Sequence, residues 1–334
     1  MSTPDVFNSD LFSLRNLTAS LKRIPYTPSV ITGMNLFETK GIDTTAVFID
    51  IGNKAVNLVA STERGAPPAV VVGDKFESRP FQTIHLPQRS TLLADAVQNV
   101  RSFDSEDSTD GVQMKITELL EKHKRNIVLT KENLMFGAVK GLVTDADGST
   151  LLDLHAAMGT APTEYDFELD NDSTEVRNKI VQLERLIEDR LDGIPFTSVE
   201  VLCGHELFDA LVAHPEVKAT WVELNSSENN RANLRRGFSY AGMMFREYRP
   251  GQGVTIEPNE GWAIPMGVDS MFLGRYAPAD YNETVNTMGL PFYSKSRELP
   301  YGKGMEIETQ SNPLFLCTRP NAVPRIGLNA AALA

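Results

Sequence analysis

The longest periodic stretch of apolar residues in the chain lies between Gly111 and Lys140. Its apolar positions, together with one histidine, recur every third or fourth residue, at Val112, Ile116, Leu119, Leu120, His123, Ile127, Leu134 and Ala138. This spacing predicts an amphipathic helix over residues 111–140, with Asp110 as its N-cap and Gly141 just beyond its C-terminus. Such a helix forms a rod of about 42 Å at 1.5 Å per residue, well above the usual helix length.

Residues 1–40 have a weaker apolar pattern. Leu11, Leu14, Leu17 and Leu21 are spaced as in a short amphipathic helix, and the prolines that follow would end it. The segment has too few apolar residues for a core of its own. It is therefore predicted to be an N-terminal arm that lies on another surface.

Residues 41–100 begin with a strand pattern in which apolar residues alternate with polar ones, as at Val47, Ile49 and Ile51. Gly52-Asn53 suits a hairpin turn, and Glu63–Pro68 is too rich in glycine and proline for regular structure. We interpret residues 52–90 as a long two-stranded ribbon with a polar tip. Because a two-stranded ribbon is marginally stable alone, it is expected to need support from another surface.

The rest of the chain mixes helix and strand patterns, which predicts an α+β fold. A capping-box variant at Asp172 and Glu175 marks the start of the second helix. The predicted elements are a hairpin of Gly141–Val143 with Thr150–Leu154, a helix from Ser173 to Leu191, a strand Ser198–Cys203, helices His205–His214 and Pro215–Leu224, a strand pair Tyr240–Tyr248 with Gly253–Glu257, and strands Met305–Thr309 and Pro313–Cys317.

Composition narrows the class of protein. Among 334 residues, 32 basic and 44 acidic side chains give a net charge of −12, so the chain is not expected to coat nucleic acid through a basic surface. No run of about 18 apolar residues predicts a membrane span, and the first residues do not resemble a secretory signal. Two cysteines cannot build a disulfide framework, which favours reduced thiols in a cytosol.

The strongest cluster of reactive residue types comprises Cys203, His205, Glu206 and His214. Cysteine and histidine bind zinc, and a Cys–His pair can form a nucleophile. However, a zinc-protease helix would need a histidine four residues after His205, where Asp209 stands, and no second pair of ligands follows. A structural role is therefore the favoured interpretation of all four residues.

Other motifs are also better explained by structure than by chemistry. The chain has no phosphate-binding GxxxxGK[ST] loop, and its Gly-x-Gly triplets at 251–253 and 302–304 are typical of turns. The acidic pairs at 145/147 and 170/172 lack the remaining ligands of a calcium loop and suit turns and caps. The residues thus predict no catalytic, cofactor-binding or metal site. The arm and the ribbon instead favour a subunit of an assembly, supported by a neighbouring chain.

Four stretches resemble the lambda-type tailed-phage major capsid proteins, the major capsid protein E family. The similarity covers nearly the whole chain in the same order, and the four together are far more specific than any one alone. They are Leu86–Arg101, Leu134–Gly141, Phe238–Met243, and Ser311–Leu316 with Arg319-Pro320.

The resemblance implies the HK97-type capsid fold, named after coliphage Hong Kong 97. Its parts are an N-terminal arm, an extended β-hairpin loop, a long spine helix in a peripheral domain, and an axial domain. On this sequence they correspond to an arm at 1–40, the extended loop and flanking strands at 41–100, a peripheral domain at 101–194 with the spine helix at 111–140, an axial domain at 195–300 and a C-terminal return to the peripheral domain at 301–334.

The resemblance also implies a mechanical function. Copies would form hexamers and pentamers of an icosahedral shell around double-stranded DNA, assembled in the bacterial cytoplasm and retained in the virion. Partners would be scaffold, portal and often a decoration protein, with DNA contacted weakly and no membrane. A scaffold separate from this chain is expected, because only about 40 residues precede the first strand. No covalent cross-link between subunits is expected.

The sequence also allows two alternatives to a phage capsid protein. A cellular nanocompartment shell would share the fold, and a soluble enzyme would use Cys203 and His205. If the protein forms a shell, the predicted inter-subunit contacts are charged residues of the ribbon: Arg64, Lys75, Glu77 and Arg79. Charged residues at this density are expected where a strand pair faces a neighbouring subunit.

Overall fold

The computed structural model describes residues 13–23, 30–51, 77–97, 108–224, 237–249, 254 and 256–333. Within them, the helices are α1 Leu14–Arg23, α2 Val30–Gly33, α3 Ala94–Val97, α4 Ser108–Lys140, α5 Leu154–Met158, α6 Val176–Leu191, α7 His205–Ala213, α8 Pro215–Leu224 and α9 Ala330–Leu333. The strands are β1 Glu38–Gly41, β2 Ala46–Ile51, β3 Glu77–Gln82, β4 Leu86–Leu93, β5 Leu142–Thr144, β6 Thr150–Asp153, β7 Glu164–Asp166, β8 Ser198–Cys203, β9 Phe238–Tyr240, β10 Met243–Glu247, β11 Glu260–Met266, β12 Phe272–Tyr276, β13 Tyr293–Glu298, β14 Gly304–Ser311, β15 Pro313–Cys317 and β16 Arg325–Gly327.

The chain divides into two compact units. The first comprises Met1–Val47, Phe81–Glu132 and Gly274–Phe315, and the second comprises Phe48–Pro80, Asn133–Leu273 and Leu316–Ala334. Both units mix helices with sheets, as the sequence predicts for an α+β fold. The division into an arm, an extended loop, a peripheral domain, an axial domain and a C-terminal return, which the family resemblance implies, stays a prediction.

The first unit contains an antiparallel sheet in the order β13-β14-β4. Alternate residues of β4 and β14 point to one face, where Leu92 and Ile307 pack with Ile116 and Leu120 of helix α4. Burial of such side chains contributes about 1.5–3 kcal/mol each. This cluster is the core of the unit, and it is completed by two leucines of α1, described below.

Helix α4 is longer than the apolar pattern predicts. It begins at Ser108, so Asp110 lies inside the helix and its assignment as N-cap is wrong. The 33 residues span about 50 Å at 1.5 Å per residue. The predicted end is confirmed, because Gly141 follows the last helical residue with a φ of 83°, the left-handed conformation that ends many helices.

The second unit is built on a six-stranded mixed sheet in the order β7-β16-β11-β8-β10-β9. Strand β11 is buried along almost its whole length, as expected for a strand inside a sheet. Helix α6 buries an apolar stripe at Val176, Ile180, Leu183, Ile187 and Leu191. The predicted strand at 198–203, the helix at 215–224 and the hairpin formed by β5 and β6 are confirmed.

Two local features of this unit differ from the predictions. Strand β10 pairs in parallel with β8 and antiparallel with β9, and residues 253 and 255 of its predicted partner lie outside the described residues. The turn between β9 and β10 is Ala241-Gly242, whose φ angles of 48° and 91° suit a tight hairpin. Helix α6 has no capping box, because Glu175 at its N-cap makes no side-chain cap hydrogen bond. Instead, the N–H of Val176 donates to the Glu216 carboxylate at 2.5 Å.

Candidate assembly site

The predicted N-terminal arm is held by its own chain over the residues that the structure describes. Leu17 and Leu21 of α1 are almost fully buried in the core of the first unit. The Lys124 ammonium of α4 donates to the Leu21 carbonyl at 2.7 Å, near the C-terminal end of α1, where a positive charge is favourable. The surface on which this part of the arm lies is therefore the long helix, and no neighbouring chain is needed to explain it.

A second arm segment is fixed by a buried carboxylate. Glu132 is fully buried, and its carboxylate accepts a hydrogen bond from the Ile31 N–H at 2.9 Å, in the first turn of α2. The Ile31 side chain is buried as well. Because a buried carboxylate is stable only with donors around it, this contact ties the position of α2 to a particular turn of α4.

Lys131 is a buried lysine whose described partners are a carbonyl and two aromatic rings. Its ammonium donates to the Pro291 carbonyl at 2.8 Å and lies 3.8 Å from the Phe292 ring centroid and 4.6 Å from that of Tyr276. Burial lowers the pKa of Lys131 well below its ordinary value, with the charge of Lys124 acting in the same direction. The cation–π contacts offset part of the cost of burying the charged form.

His123 links α4 to two strands of the sheet. Its ring nitrogens lie 2.6 Å from Ser90 Oγ of β4 and 3.0 Å from Thr309 Oγ1 of β14. Burial lowers the pKa of His123, and the nearby charge of Lys122 lowers it further. A neutral imidazole can donate at one nitrogen and accept at the other, which satisfies both hydroxyls.

The opposite face of this sheet carries a ladder of charges. Arg89 lies 3.4 Å from Glu306 and 2.8 Å from Glu308 on the neighbouring strand. Arg297 lies 2.5 Å from Glu306, and Lys295 lies 2.7 Å from Glu283. Opposite charges on adjacent strands stabilise the pairing modestly. One face of the sheet is thus a core surface and the other is charged.

The cluster at Cys203, His205, Glu206 and His214 is not a reactive site. The Cys203 thiol is fully buried in β8, and this burial raises its pKa, which disfavours the thiolate. His205 is exposed at the start of α7. His214 is buried, accepts the Glu216 N–H at one ring nitrogen and lies 3.3 Å from the Asn171 carbonyl at the other, so it completes a helix junction.

The acidic pairs serve turns where the structure describes their contacts. The Asp145 carboxylate accepts the Ala146 N–H at 2.7 Å, and that of Asp147 accepts the Ser149 N–H at 2.9 Å. Across the residues that the structure describes, no group of three histidine, cysteine or acidic side chains is placed to hold a metal ion. The same residues include no helix with the length and apolar character required to cross a membrane.

A family model described as phage major capsid protein E matches residues 13–327, across both compact units. The chain belongs to this family. Its members are structural proteins of the virion, so the enzyme alternative is excluded. The family match does not support a cellular nanocompartment shell better than it supports a phage capsid.

Named relatives agree with the family. The major capsid protein of Salmonella phage Felix O1 is 23% identical over 356 residues, covering 96% of this chain and 97% of that protein. The major capsid protein of Pseudomonas phage KPP10 is 25% identical over 338 residues, covering 93% and 95%. A crystal structure described as a prophage capsid protein of E. coli CFT073 aligns with a TM-score of 0.57 at 15% identity, covering 95% and 99%. The predicted HK97-type α+β fold is confirmed.

The four predicted contact residues of the ribbon are only partly placed. Arg64, Lys75 and the Gly52-Asn53 turn lie outside the described residues, and Glu77 begins β3 with its side chain also outside them. Arg79 is half-buried, and its guanidinium donates to the Ala157 carbonyl of the same chain at 2.6 Å. Strands β2 and β3 pair as a two-stranded sheet, which is the base of the predicted ribbon. Contact of these residues with a neighbour stays a prediction.

The roles of Lys124, Lys131 and Glu132 in the capsid protein's long helix were not predicted from the sequence. A signal for the two lysines was present, because the buried positions Leu120, Ile127 and Leu134 predict that the residues at 124 and 131 share their face. A lysine at a core position of an amphipathic helix indicates a buried, partnered charge. What the spacing cannot supply is the identity of the partner, which lies at least 100 residues away for Lys124 and Glu132.

Proposed function

We propose that copies of this chain form the hexamers and pentamers of an icosahedral shell enclosing the double-stranded DNA of a tailed phage. Assembly would take place in the bacterial cytoplasm with a separate scaffold and a portal, and decoration proteins would bind the finished shell. The observation that carries the proposal is the family match, which runs through residues 13–327 and so includes both compact units.

The packing of the first unit supports this function. Buried polar groups of α4 bind the backbone of α1, the first turn of α2 and the loop at Pro291. These segments are therefore ordered before the subunit meets a neighbour. Pre-ordered partners lose less conformational entropy on association, which strengthens each of the many contacts in a shell.

The charge of the chain supports the proposed relation to DNA. With a net charge of −12, a subunit has no general attraction for phosphate groups, so the enclosed DNA would be contacted weakly and without sequence preference. The ribbon would lie on a neighbouring subunit through Arg64, Lys75 and Glu77. Arg79, which binds the Ala157 carbonyl, would anchor the base of the ribbon to its own chain.

The test is expression of the full chain together with the genes that neighbour it, followed by negative-stain electron microscopy of the sedimented material. We expect round shells or capsomer rings. A control in which Leu120, fully buried in the core of the first unit, is replaced by Asp should give neither, because the subunit cannot form its core. Soluble monomers of the unaltered chain, with and without the neighbouring genes, would contradict the proposal.

A further inference from the structure

The turn between β13 and β14 presents an unusual residue to solvent. Tyr301 is 95% exposed, and its φ of 65° places it in the left-handed region, which is strained for a bulky side chain. Gly302 follows with a φ of 62°, so the turn has two successive left-handed residues. Asn or Gly would suit the first of them far better than Tyr. Strain retained at an exposed position points to a function for the side chain.

A groove lies beside this turn, between β4, α3 and α4. It has a volume of about 590 Å³, and its apolar lining includes Leu92, Ala96 and Leu119. Lys115, Lys122 and Arg125 give the rim a net positive charge, with Glu118 as the one acid in the lining. The groove can hold an aromatic side chain, and its rim suits an acidic neighbour or the face of an aromatic ring.

The two features are close together on the first unit. Leu92 of the groove pairs with Met305 and Leu93 pairs with Gly304, three residues after Tyr301. Leu93 is itself half-exposed at this end of the sheet. A protruding side chain next to a groove on the same surface allows two copies to insert into each other about a two-fold axis, because one patch then serves both partners.

The turn carries charges of both signs, Glu298 and Lys303, and the Lys303 ammonium lies 5.8 Å from the Tyr301 ring centroid. The acid is the charge that can pair with the rim of the groove in another copy. Lys115 has Glu118 at 3.1 Å and Arg125 has Glu121 at 3.4 Å, whereas Lys122 has no hydrogen-bond or ion-pair partner among the described residues. Glu298, exposed near the turn on β13, likewise has none within the described part of the chain. An acid beside the protruding tyrosine and a base on the groove rim complement each other between copies.

We propose that Tyr301 of one subunit inserts into this groove of a neighbouring subunit, with Glu298 of the first facing Lys122 of the second. The inference rests on the proposed shell function. The occupant is a second copy of this chain because its turn supplies both the aromatic residue and the acid that the groove matches. Tyrosine is among the residues that most often dominate the free energy of protein interfaces.

The first test replaces Tyr301 with Asn and, separately, with Ala. Asn relieves the strain of the turn, so the unassembled Tyr301→Asn subunit should unfold at the same or a higher temperature. Both variants should nevertheless weaken association by about tenfold or more per contact, as for a typical interface hot spot, and reduce the yield of shells in the sedimentation assay. Shells of Tyr301→Asn at the unaltered yield would overturn the inference.

The second test exchanges the two charges. Glu298→Lys and Lys122→Glu should each reduce the yield of shells, and the double variant should restore it because the pair is re-formed with opposite polarity. The matched control combines Glu298→Lys with Lys115→Glu, which alters the same rim at a residue that already has a partner, and should not restore the yield. A double variant as defective as the single ones would overturn the inference. Failure of the unaltered chain to assemble would instead contradict the shell function itself.

Discussion

The two parts of helix α4, residues 113–132 and the shorter stretch 133–140, bury different kinds of side chain. Over residues 113–132, the buried face includes four polar or charged residues among its apolar ones: His123, Lys124, Lys131 and Glu132. From residue 133 onward, the buried side chains are apolar: Leu134, Met135, Phe136, Ala138 and Val139. The same helix thus uses two packing chemistries along its length.

The difference teaches how a helix can fix particular segments. Apolar contacts are roughly proportional to buried area and tolerate small shifts. Each buried polar group instead requires a particular atom, such as the Leu21 carbonyl, the Ile31 N–H or the Pro291 carbonyl. A displaced segment would take one of these partners away from a buried charge, which costs more than displacing a methyl group. We infer that the first part sets the position of the arm along the helix, and the second part contributes mainly packing.

The largest effect is expected in the apolar part of α4. Phe136 packs against Tyr248 with ring centroids 4.7 Å apart, and replacing it with Ala should lower the free energy of unfolding by about 3–5 kcal/mol through lost burial and a cavity. Urea unfolding of the unassembled subunit measures the change. The control is Phe48→Ala, at a position that is 71% exposed, where about 0.5 kcal/mol or less is expected. Equal effects at both positions would contradict the assigned packing.

A smaller but more specific effect is expected at Glu132. Replacing it with Ala leaves the Ile31 N–H without its acceptor, which should cost about 1–3 kcal/mol. Glu132→Gln keeps a side-chain oxygen that can accept this hydrogen bond, so it should lose less. Amide hydrogen exchange at Ile31 is the matching local measurement, with faster exchange in the Ala variant than in the Gln variant. Unchanged exchange in both would show that the carboxylate does not hold α2.

The smallest effect is expected at Lys131 and is a change in pH dependence. Its pKa is lowered in the folded state, so between that pKa and about 10.5 the unfolded chain binds more protons and stability rises with pH. Lys131→Met should remove the part of the pH-dependent increase in the free energy of unfolding that Lys131 contributes, at most about 1.4 kcal/mol per pH unit. A smaller increase should remain in this variant, because the pKa of Lys124 is also lowered by burial.

The measurement is urea unfolding at several pH values from 8 to 10, compared between the unaltered chain and Lys131→Met. Lys295→Met is the control, because Lys295 is only partly buried and paired with Glu283. Its profile should parallel that of the unaltered chain. A slope in Lys131→Met as steep as in the unaltered chain would mean that Lys131 is not desolvated in the folded subunit.

The elements of the fold could be predicted from the sequence where the determinants are local. The end of α4 follows from Gly141, and β8 follows from a short apolar strand before Gly204. The start of α6 could not be predicted, because its cap is Glu216, 40 residues further along the chain. The partner of β10 was missed for a related reason: an Ala-Gly turn is a weak signal, and parallel pairing with β8 is set by the whole sheet.

The candidate assembly site was less predictable. The charged ribbon residues could be proposed as contacts because they lie close together in the sequence. Tyr301 and Lys122 belong to no sequence motif that indicates a contact. Tyr301 becomes informative only through its backbone conformation and exposure, and Lys122 only because its neighbours on α4 are already paired. These are relations between residues in space, and no spacing in the chain encodes them.

The docking of α1 on α4 also sets how far the chain can be shortened or extended from its beginning. Deletion through Arg23 removes two buried leucines and the Leu21 carbonyl that accepts from Lys124, and it uncovers Ile116 and Leu120. A break in the chain within α1 would therefore destabilise the subunit itself, so this helix belongs to the folded body of the protein and is not a removable leader.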